Sequence, residues 1–110
     1  MILNARSIAN KFSKLSAIVK NHDPALVGIT ESWLQPEMKF NLPGYLTFRC
    51  DRDSKGGGVL LCIKSGLKPT FIKECKIGTS EIVIVSILDN FGIILIYRPP
   101  NAPLSDLLTF

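Results

Sequence analysis

The first apolar pattern in the chain has helical spacing. Ser7, a residue type preferred at helix N-caps, precedes it. Pro24 follows it, and the residue before a proline is pushed out of helical backbone geometry. We therefore predict a short strand end at residues 1–3 and then one helix over residues 7–21. The apolar stripe of that helix consists of Ile8, Phe12, Leu15, Ile18 and Val19.

The next patterns are typical of strands. Residues 25–30 and 58–64 are nearly continuous apolar runs, which favours strands buried on both faces. Residues 81–88 and 92–97 are rich in β-branched side chains and meet at a short Asp-Asn-Phe-Gly segment, which predicts a hairpin. Residues 45–49 and 70–75 are weaker strand candidates.

The order of these elements is strand, helix, strand and then a mostly antiparallel run. It predicts an α/β sandwich with one long helix packed on a mixed, mostly antiparallel sheet that includes residues 25–30, 58–64, 81–88 and 92–97. With 110 residues, the chain has room for one domain or part of one. The predicted core contains Leu15, Ile18, Val27, Ile29, Leu61, Ile84, Ile94 and Ile96.

Composition narrows the class of protein. Apolar residues make up 46% of the chain and charged residues 20%, which is ordinary globular usage and argues against disorder. The net charge of +4 permits an anionic partner such as nucleic acid without requiring one. The number of cysteines is odd and C-x-x-C is absent, so we expect no disulfide framework or zinc site. No segment has the pattern of a signal peptide or a membrane span, so we expect no membrane partner.

Polar residues follow two predicted strands. Glu31 comes directly after residues 25–30, at the carboxyl end of a strand, where α/β sheets bind ligands. A carboxylate there suits Mg²⁺, but from the pattern alone a carboxylate that caps or begins a turn is the favoured interpretation. Asn4 follows the first strand, and its amide could bind a metal-bound water or a phosphate oxygen. From the pattern alone, an ordinary turn residue is the favoured interpretation of Asn4.

Two further segments have the same ambiguity. Tyr97 and Arg98 end the last strand, where they could orient and neutralise a phosphate. From spacing alone, an aromatic residue that closes the core above a proline turn is the favoured interpretation. Residues 51–58 combine charges with Gly56, Gly57 and Gly58, but they match neither the P-loop nor G-x-G-x-x-G. From spacing alone, a flexible turn is the favoured interpretation of this glycine segment.

The segments that carry these residues occur in one order along the chain. The series resembles the endonuclease/exonuclease/phosphatase superfamily, and it is most similar to the endonuclease domain of non-LTR (LINE-type) retrotransposon polyproteins. The resemblance covers nearly the whole chain. The segments are LNARS (3–7), DPALVGITESWL (23–34), PGY (43–45), RCDR (49–52), GGGV (56–59) and YRPPN (97–101).

This resemblance implies a DNase I-like, four-layer α/β sandwich, of which residues 1–110 are the N-terminal part. It implies Mg²⁺-dependent nicking of DNA for target-primed reverse transcription, with Mn²⁺ as an alternative ion. By the same resemblance, Glu31 corresponds to the metal-binding glutamate. Asn4 corresponds to the asparagine near the metal and Tyr97 to the active-site tyrosine. Arg98 and Asn101 are expected to contact the substrate.

The chain departs from the family in three respects. The family's G-D-F-N motif, its later aspartate and its S-D-H motif with the catalytic histidine are absent. His22, the single histidine, lies in the predicted helix-to-strand turn. Arg6 stands where many relatives have an acidic residue. We therefore expect a fragment that is inactive alone, since general-base catalysis needs a group within reach of the water.

The resemblance and these departures together determine which partners we expect, and they leave two alternative functions open. We expect weak DNA binding, the missing C-terminal half of the domain as a partner, and an intracellular location, nuclear if the chain belongs to a retrotransposon protein. One alternative is a non-catalytic half-domain that binds DNA or protein. Another is a phosphoesterase of the same superfamily with a different substrate.

Overall fold

The computed structural model of the chain describes residues 1–52 and 57–99. Within these residues, strands and one α-helix form a layered α/β structure. In chain order the elements are β1 (Ile2–Asn4), α1 (Phe12–His22), β2 (Leu26–Thr30), β3 (Tyr45–Cys50), β4 (Val59–Lys64), β5 (Thr70–Ile77), β6 (Ser80–Ile87) and β7 (Phe91–Tyr97). The predicted elements are thus present, with the two weaker strand candidates extended to β3 and β5.

The strands form two sheets. The first sheet has the order β1-β2-β4-β3, with β1 parallel to β2 and the other pairs antiparallel. The second sheet has the order β5-β6-β7 and is antiparallel throughout. The mixed, mostly antiparallel character is confirmed. The prediction of one sheet through residues 25–30, 58–64, 81–88 and 92–97 is wrong in detail, because β6 and β7 belong to the second sheet.

Two apolar cores separate three layers. Leu15 and Val19 of α1 pack on Val27 and Ile29 of β2, which covers one face of the first sheet. The other core lies between the sheets, where residues from β3, β4, β6 and β7 meet. Because successive side chains of a strand point to opposite faces, β4 contributes to both cores, as its continuous apolar run predicted. The buried members of the second core are Cys50, Val59, Leu61, Ile63, Val83, Val85, Ile87 and Leu95.

The start of the helix differs from the prediction. A 3₁₀ turn over Ala9–Lys11 leads into α1, and no side chain caps either element. Ser7 therefore does not serve as the predicted N-cap. Its backbone has a φ of 86°, and its N–H donates to the Glu31 carbonyl at 2.9 Å, because this segment continues alongside the end of β2. At the other end, Asp23 stops the helix in left-handed geometry just before Pro24.

Most of the predicted core residues in the helix and the first sheet are buried, whereas those in β7 are exposed. Leu15, Val27, Ile29 and Leu61 are buried as predicted. Ile18 and Ile84 are half-buried. The prediction is wrong for two residues of β7, since Ile94 is 52% exposed and Ile96 40% exposed. They alternate with the buried Leu95 and so point away from the first sheet, to a face of the second sheet that α1 does not cover.

The state of the cysteines and the length of the helices can also be compared with the expectations from composition. The thiols of Cys50, Cys62 and Cys75 are unpaired. Within residues 1–52 and 57–99, no helix is long and apolar enough to cross a membrane.

Candidate active site

Glu31 lies at the carboxyl end of β2, and its backbone is clamped by the segment that follows β1. The amide of Ala5 donates to the Thr30 carbonyl at 2.9 Å, that of Ser7 to Glu31 at 2.9 Å, and that of Ile8 to Ser32 at 3.0 Å. The parallel pairing of β1 and β2 is therefore extended by three hydrogen bonds past the last strand residue. These bonds fix the direction in which the Glu31 side chain leaves the sheet.

The backbone around Glu31 is strained. Arg6, Ser7, Glu31 and Trp33 have φ values of 48°, 86°, 53° and 57°. Positive φ is uncommon for residues other than glycine and costs on the order of 1–3 kcal/mol at each position. Such geometry persists only where surrounding contacts impose it, and it clusters at ligand-binding and catalytic sites. The concentration of these residues makes this end of the first sheet the candidate site.

Tyr97, at the end of β7, approaches Glu31 from the second sheet. Its hydroxyl donates a hydrogen bond to Glu31 Oε1 at 3.1 Å. Burial, followed by the hydrogen bond to Glu31 and the negative charge of that carboxylate, raises the pKa of Tyr97 above its ordinary value. The phenol is therefore protonated at neutral pH and serves as a hydrogen-bond donor. The structure thus brings into contact two residues that are 66 positions apart.

Two other predicted site residues, Asn4 and Arg98, neighbour this contact in strand register or along the chain. Asn4 ends β1 opposite Thr30, the residue before Glu31, and its side chain is exposed. Directly opposite residues of neighbouring strands project to the same face of a sheet, so Asn4 is on the Thr30 side. Arg98 follows Tyr97 directly and is exposed. Asn101 lies outside the described residues.

Sequence reasoning missed Glu81, which is adjacent to Tyr97. Glu81 is the second residue of β6, pairs with Tyr97 across the strands, and is 2% exposed. Its Oε1 accepts a hydrogen bond from Arg52 Nε at 2.7 Å and another from the Gly58 N–H at 3.3 Å. The available signal was the alternation in β6, which places Glu81 on the same buried face as Val83 and Val85.

Gly57 and Gly58, the described glycines of the segment before β4, are bonded to residues that directly follow Glu31. The Gly57 and Gly58 carbonyls accept hydrogen bonds from the Trp33 and Ser32 amides at 3.0 and 3.3 Å. A Cβ on Gly57 would lie 2.3 Å from Arg52 Cζ, and one on Gly58 would lie 2.5 Å from Ser32 Oγ. Both glycines also have positive φ. Positive φ therefore favours glycine at both positions, and close packing against Ser32 adds to this at Gly58.

The donor set limits which metal could bind. Among the described residues, no group of three or more histidine, cysteine, aspartate or glutamate side chains could hold an ion. This excludes a protein-made cage of the zinc type in that part of the chain. Mg²⁺ differs, because it is usually held by one or two carboxylates together with water and substrate phosphate. The half-buried Glu31 carboxylate fits such a site.

Comparison with known proteins identifies the fold. No protein-family model and no curated protein matches the chain. It is similar to a structure of D. rerio TDP2 humanised by 14 mutations, with 17% identity and a TM-score of 0.51, over 81% of this chain and 39% of that one. It is also similar to D. rerio TDP2 complexed with single-strand DNA product, with 16% identity and a TM-score of 0.54, over 91% of this chain and 46% of that one.

At these identities the likeness shows the fold alone, and the chain spans less than half the length of either structure. TDP2 is a member of the endonuclease/exonuclease/phosphatase superfamily. The two sheets, the single helix and this likeness together show that the described residues form a partial DNase I-like α/β sandwich.

Proposed function

We propose that the chain is the N-terminal part of a divalent-metal-dependent DNA endonuclease domain, of the type found in non-LTR retrotransposon proteins. The observation that carries the proposal is the contact between Tyr97 and Glu31, at the carboxyl end of β2, on a strained backbone. The likeness to a TDP2 structure complexed with single-strand DNA product supports a DNA substrate. Action on chromosomal DNA would place the protein in the nucleus.

In this proposal Glu31 would hold Mg²⁺, or Mn²⁺ in its place. A bound ion of this kind polarises a phosphoryl oxygen and stabilises the charge that develops on it. Tyr97 contributes a protonated hydroxyl, whose single proton could be donated to a phosphate oxygen in place of Glu31. Asn4 and Arg98 would supply further donors, the amide to an oxygen and the guanidinium to a phosphate charge.

The proposal also assigns catalysis to the whole domain and not to this chain alone. His22 ends α1 before β2 begins, whereas Glu31 follows the last residue of β2. A five-residue strand separates the two positions by roughly 16 Å, so His22 is not a general base for this site. The histidine and the further carboxylates that the family resemblance implies would come from the remaining half of the domain.

Binding of Mn²⁺ to the full chain tests the metal site. Mn²⁺ broadens the NMR signals of nearby nuclei, so titration should broaden the amides of residues 30–33 and of Tyr97 first. Glu31→Gln keeps the shape of the side chain and removes its charge, and it should abolish this broadening. Glu37→Gln, at an exposed loop position, is the matched control and should leave it unchanged. Broadening that persists in Glu31→Gln would overturn the metal assignment.

A second candidate function is DNA binding without cleavage, which the remote position of the single histidine favours. Nicking of supercoiled DNA separates the two. The chain alone should not nick above background in either case. A longer chain that carries the remaining half of the domain should nick with Mg²⁺, and Glu31→Gln should abolish most of that activity. A longer, folded chain that binds DNA but does not nick it would favour the second function.

A further inference from the structure

An ion pair with a buried carboxylate lies beside the candidate site and has no role in the proposed metal chemistry. The Glu81 carboxylate is 2% exposed, and the side chain of Arg52, its partner, is 29% exposed. Oε1 receives both hydrogen bonds, and the buried Oε2 has no hydrogen-bond partner among the described residues. Removing a carboxylate from water is costly, and a single ion pair rarely returns more stability than a well-packed apolar residue would. Stability alone therefore does not account for Glu81.

One set of contacts leads from Glu81 to the backbone of Glu31. Oε1 accepts from the Gly58 N–H, and the Gly58 carbonyl accepts from the Ser32 amide at 3.3 Å. Ser32 is fully buried and directly follows Glu31. The glycine segment that Glu81 holds is thus bonded to the residue next to the proposed metal ligand.

Arg52 fixes the same segment from its other side. Its guanidinium lies against Gly57, so closely that a Cβ on that glycine would lie 2.3 Å from Cζ. The guanidinium also donates to the Thr79 carbonyl through Nη2 at 3.3 Å, which ties it to the turn before β6. The Gly57 carbonyl in turn accepts from the Trp33 amide at 3.0 Å.

Glu81 also lies next to Tyr97, the other residue of the contact with Glu31. It stands opposite Tyr97 in the register of β6 and β7. The Glu81 side chain is therefore placed between the two elements that meet at the site. On one side it holds the segment bonded to Ser32, and on the other it neighbours the strand end that carries Tyr97.

We infer that Arg52 and Glu81 are positioning residues, which hold the Glu31 carboxylate against the Tyr97 hydroxyl through the Gly57–Gly58 segment. Their catalytic meaning rests on the proposed function, but the positioning itself rests only on the contacts above. A guanidinium forks to two acceptors, whereas an ammonium is a point charge. Lysine at position 52 would keep the charge and lose the simultaneous bonds to Glu81 and Thr79.

The test compares Arg52→Lys, Arg52→Gln and Glu81→Gln in the full chain. We expect amide hydrogen exchange at Ser32 and Trp33 to accelerate about tenfold in all three, because the bonds to Gly57 and Gly58 open locally. The Mn²⁺ concentration that half-broadens the Ser32 amide should rise about tenfold, as is usual when a residue that supports a ligand is replaced. The emission spectrum of Trp33, the single tryptophan, should shift with the exchange rates.

Arg49→Gln is the matched control. It removes a guanidinium from another carboxylate, since Arg49 Nη2 lies 2.6 Å from Asp51 Oδ2, but its further bonds go to the Gln35 and Met38 carbonyls. Exchange at Ser32 and Trp33 should be unchanged in this variant.

Each alternative outcome decides the inference. Unchanged exchange and Mn²⁺ midpoints in folded Arg52→Lys and Glu81→Gln would overturn it, and so would full rescue by lysine, which would assign the effect to charge. If Glu81→Gln does not fold, the Arg52 variants decide, because that side chain is partly exposed. If Mn²⁺ broadens no signal in the unmutated chain, the proposed metal site is wrong. The hydrogen-exchange rates of Ser32 and Trp33 still test whether Arg52 and Glu81 are positioning residues.

Discussion

The Tyr97 hydroxyl donates to Glu31 Oε1 at 3.1 Å, and this hydrogen bond joins the two sheets at one end of the sandwich. Tyr97→Phe removes the bond and keeps the ring that packs in the second core. We expect the variant to fold and its free energy of unfolding to fall by about 1 kcal/mol, the usual net value of one hydrogen bond. Urea denaturation measures this change. An unaltered midpoint would show that the bond does not persist in solution.

Stability should decrease at alkaline pH because of Cys62. Burial raises the pKa of this thiol to about 11 from 9.0. Above pH 9 the unfolded chain loses the thiol proton while the folded chain retains it, so rising pH favours unfolding. The contribution is fully present below pH 9, is lost as pH rises to about 11, and amounts to about 3 kcal/mol at most.

Denaturation of the unmutated chain and of Cys62→Ala at pH 8 and pH 10.5 tests this. The free energy of unfolding should fall more steeply with pH in the unmutated chain. Cys75→Ala, which removes a half-buried thiol, is the control and should keep the steep fall. Equal slopes in the unmutated chain and Cys62→Ala would contradict the assignment to Cys62.

A glycine-to-alanine series separates close packing from backbone strain. Gly58 has a φ of 90° and no room for a Cβ beside Ser32 Oγ, whereas Gly44 has a φ of 85° and nothing within 4 Å. At Gly66 a Cβ also meets nothing, and φ is ordinary. We expect Gly66→Ala to change stability by less than about 0.5 kcal/mol and Gly44→Ala to cost about 1 kcal/mol. Gly58→Ala should cost about 3 kcal/mol or more.

Thermal denaturation of the three variants gives the order directly. If Gly58→Ala costs no more than Gly44→Ala, the contact with Ser32 does not constrain the segment.

The exposed apolar residues of β7 should matter for association and not for stability. Ile94→Thr combined with Ile96→Thr should change the free energy of unfolding by less than about 1 kcal/mol, because both residues lie on the exposed face of β7. The same variant should reduce self-association, since adjacent exposed apolar side chains form a sticky patch. Sedimentation velocity over a range of concentrations measures the association.

Leu95→Ala is the control on the same strand. Leu95 is buried between the sheets, and its loss should cost about 2–4 kcal/mol. If the threonine variant is as destabilised as Leu95→Ala, the outer face of β7 is covered in solution.

Local pattern in the sequence determined most of the elements. The 3.6-residue spacing predicted α1, and the continuous apolar runs predicted β2 and β4, because each pattern depends on residues within one element. The same patterns, with the carboxyl-end rule for strands, singled out Glu31 and Tyr97 as candidates. Their proposed roles remain predictions.

Tertiary structure decided what depends on residues distant in sequence. The division of the strands into two sheets exposed Ile94 and Ile96, and alternation along β7 could not show which face would be covered. Ser7 joined the end of β2 instead of capping α1, because the Glu31 carbonyl offered its amide a partner. The Arg52–Glu81 pair spans 29 positions and forms only because the segment before β4 packs against the second sheet, where the β6–β7 register sets Glu81 opposite Tyr97.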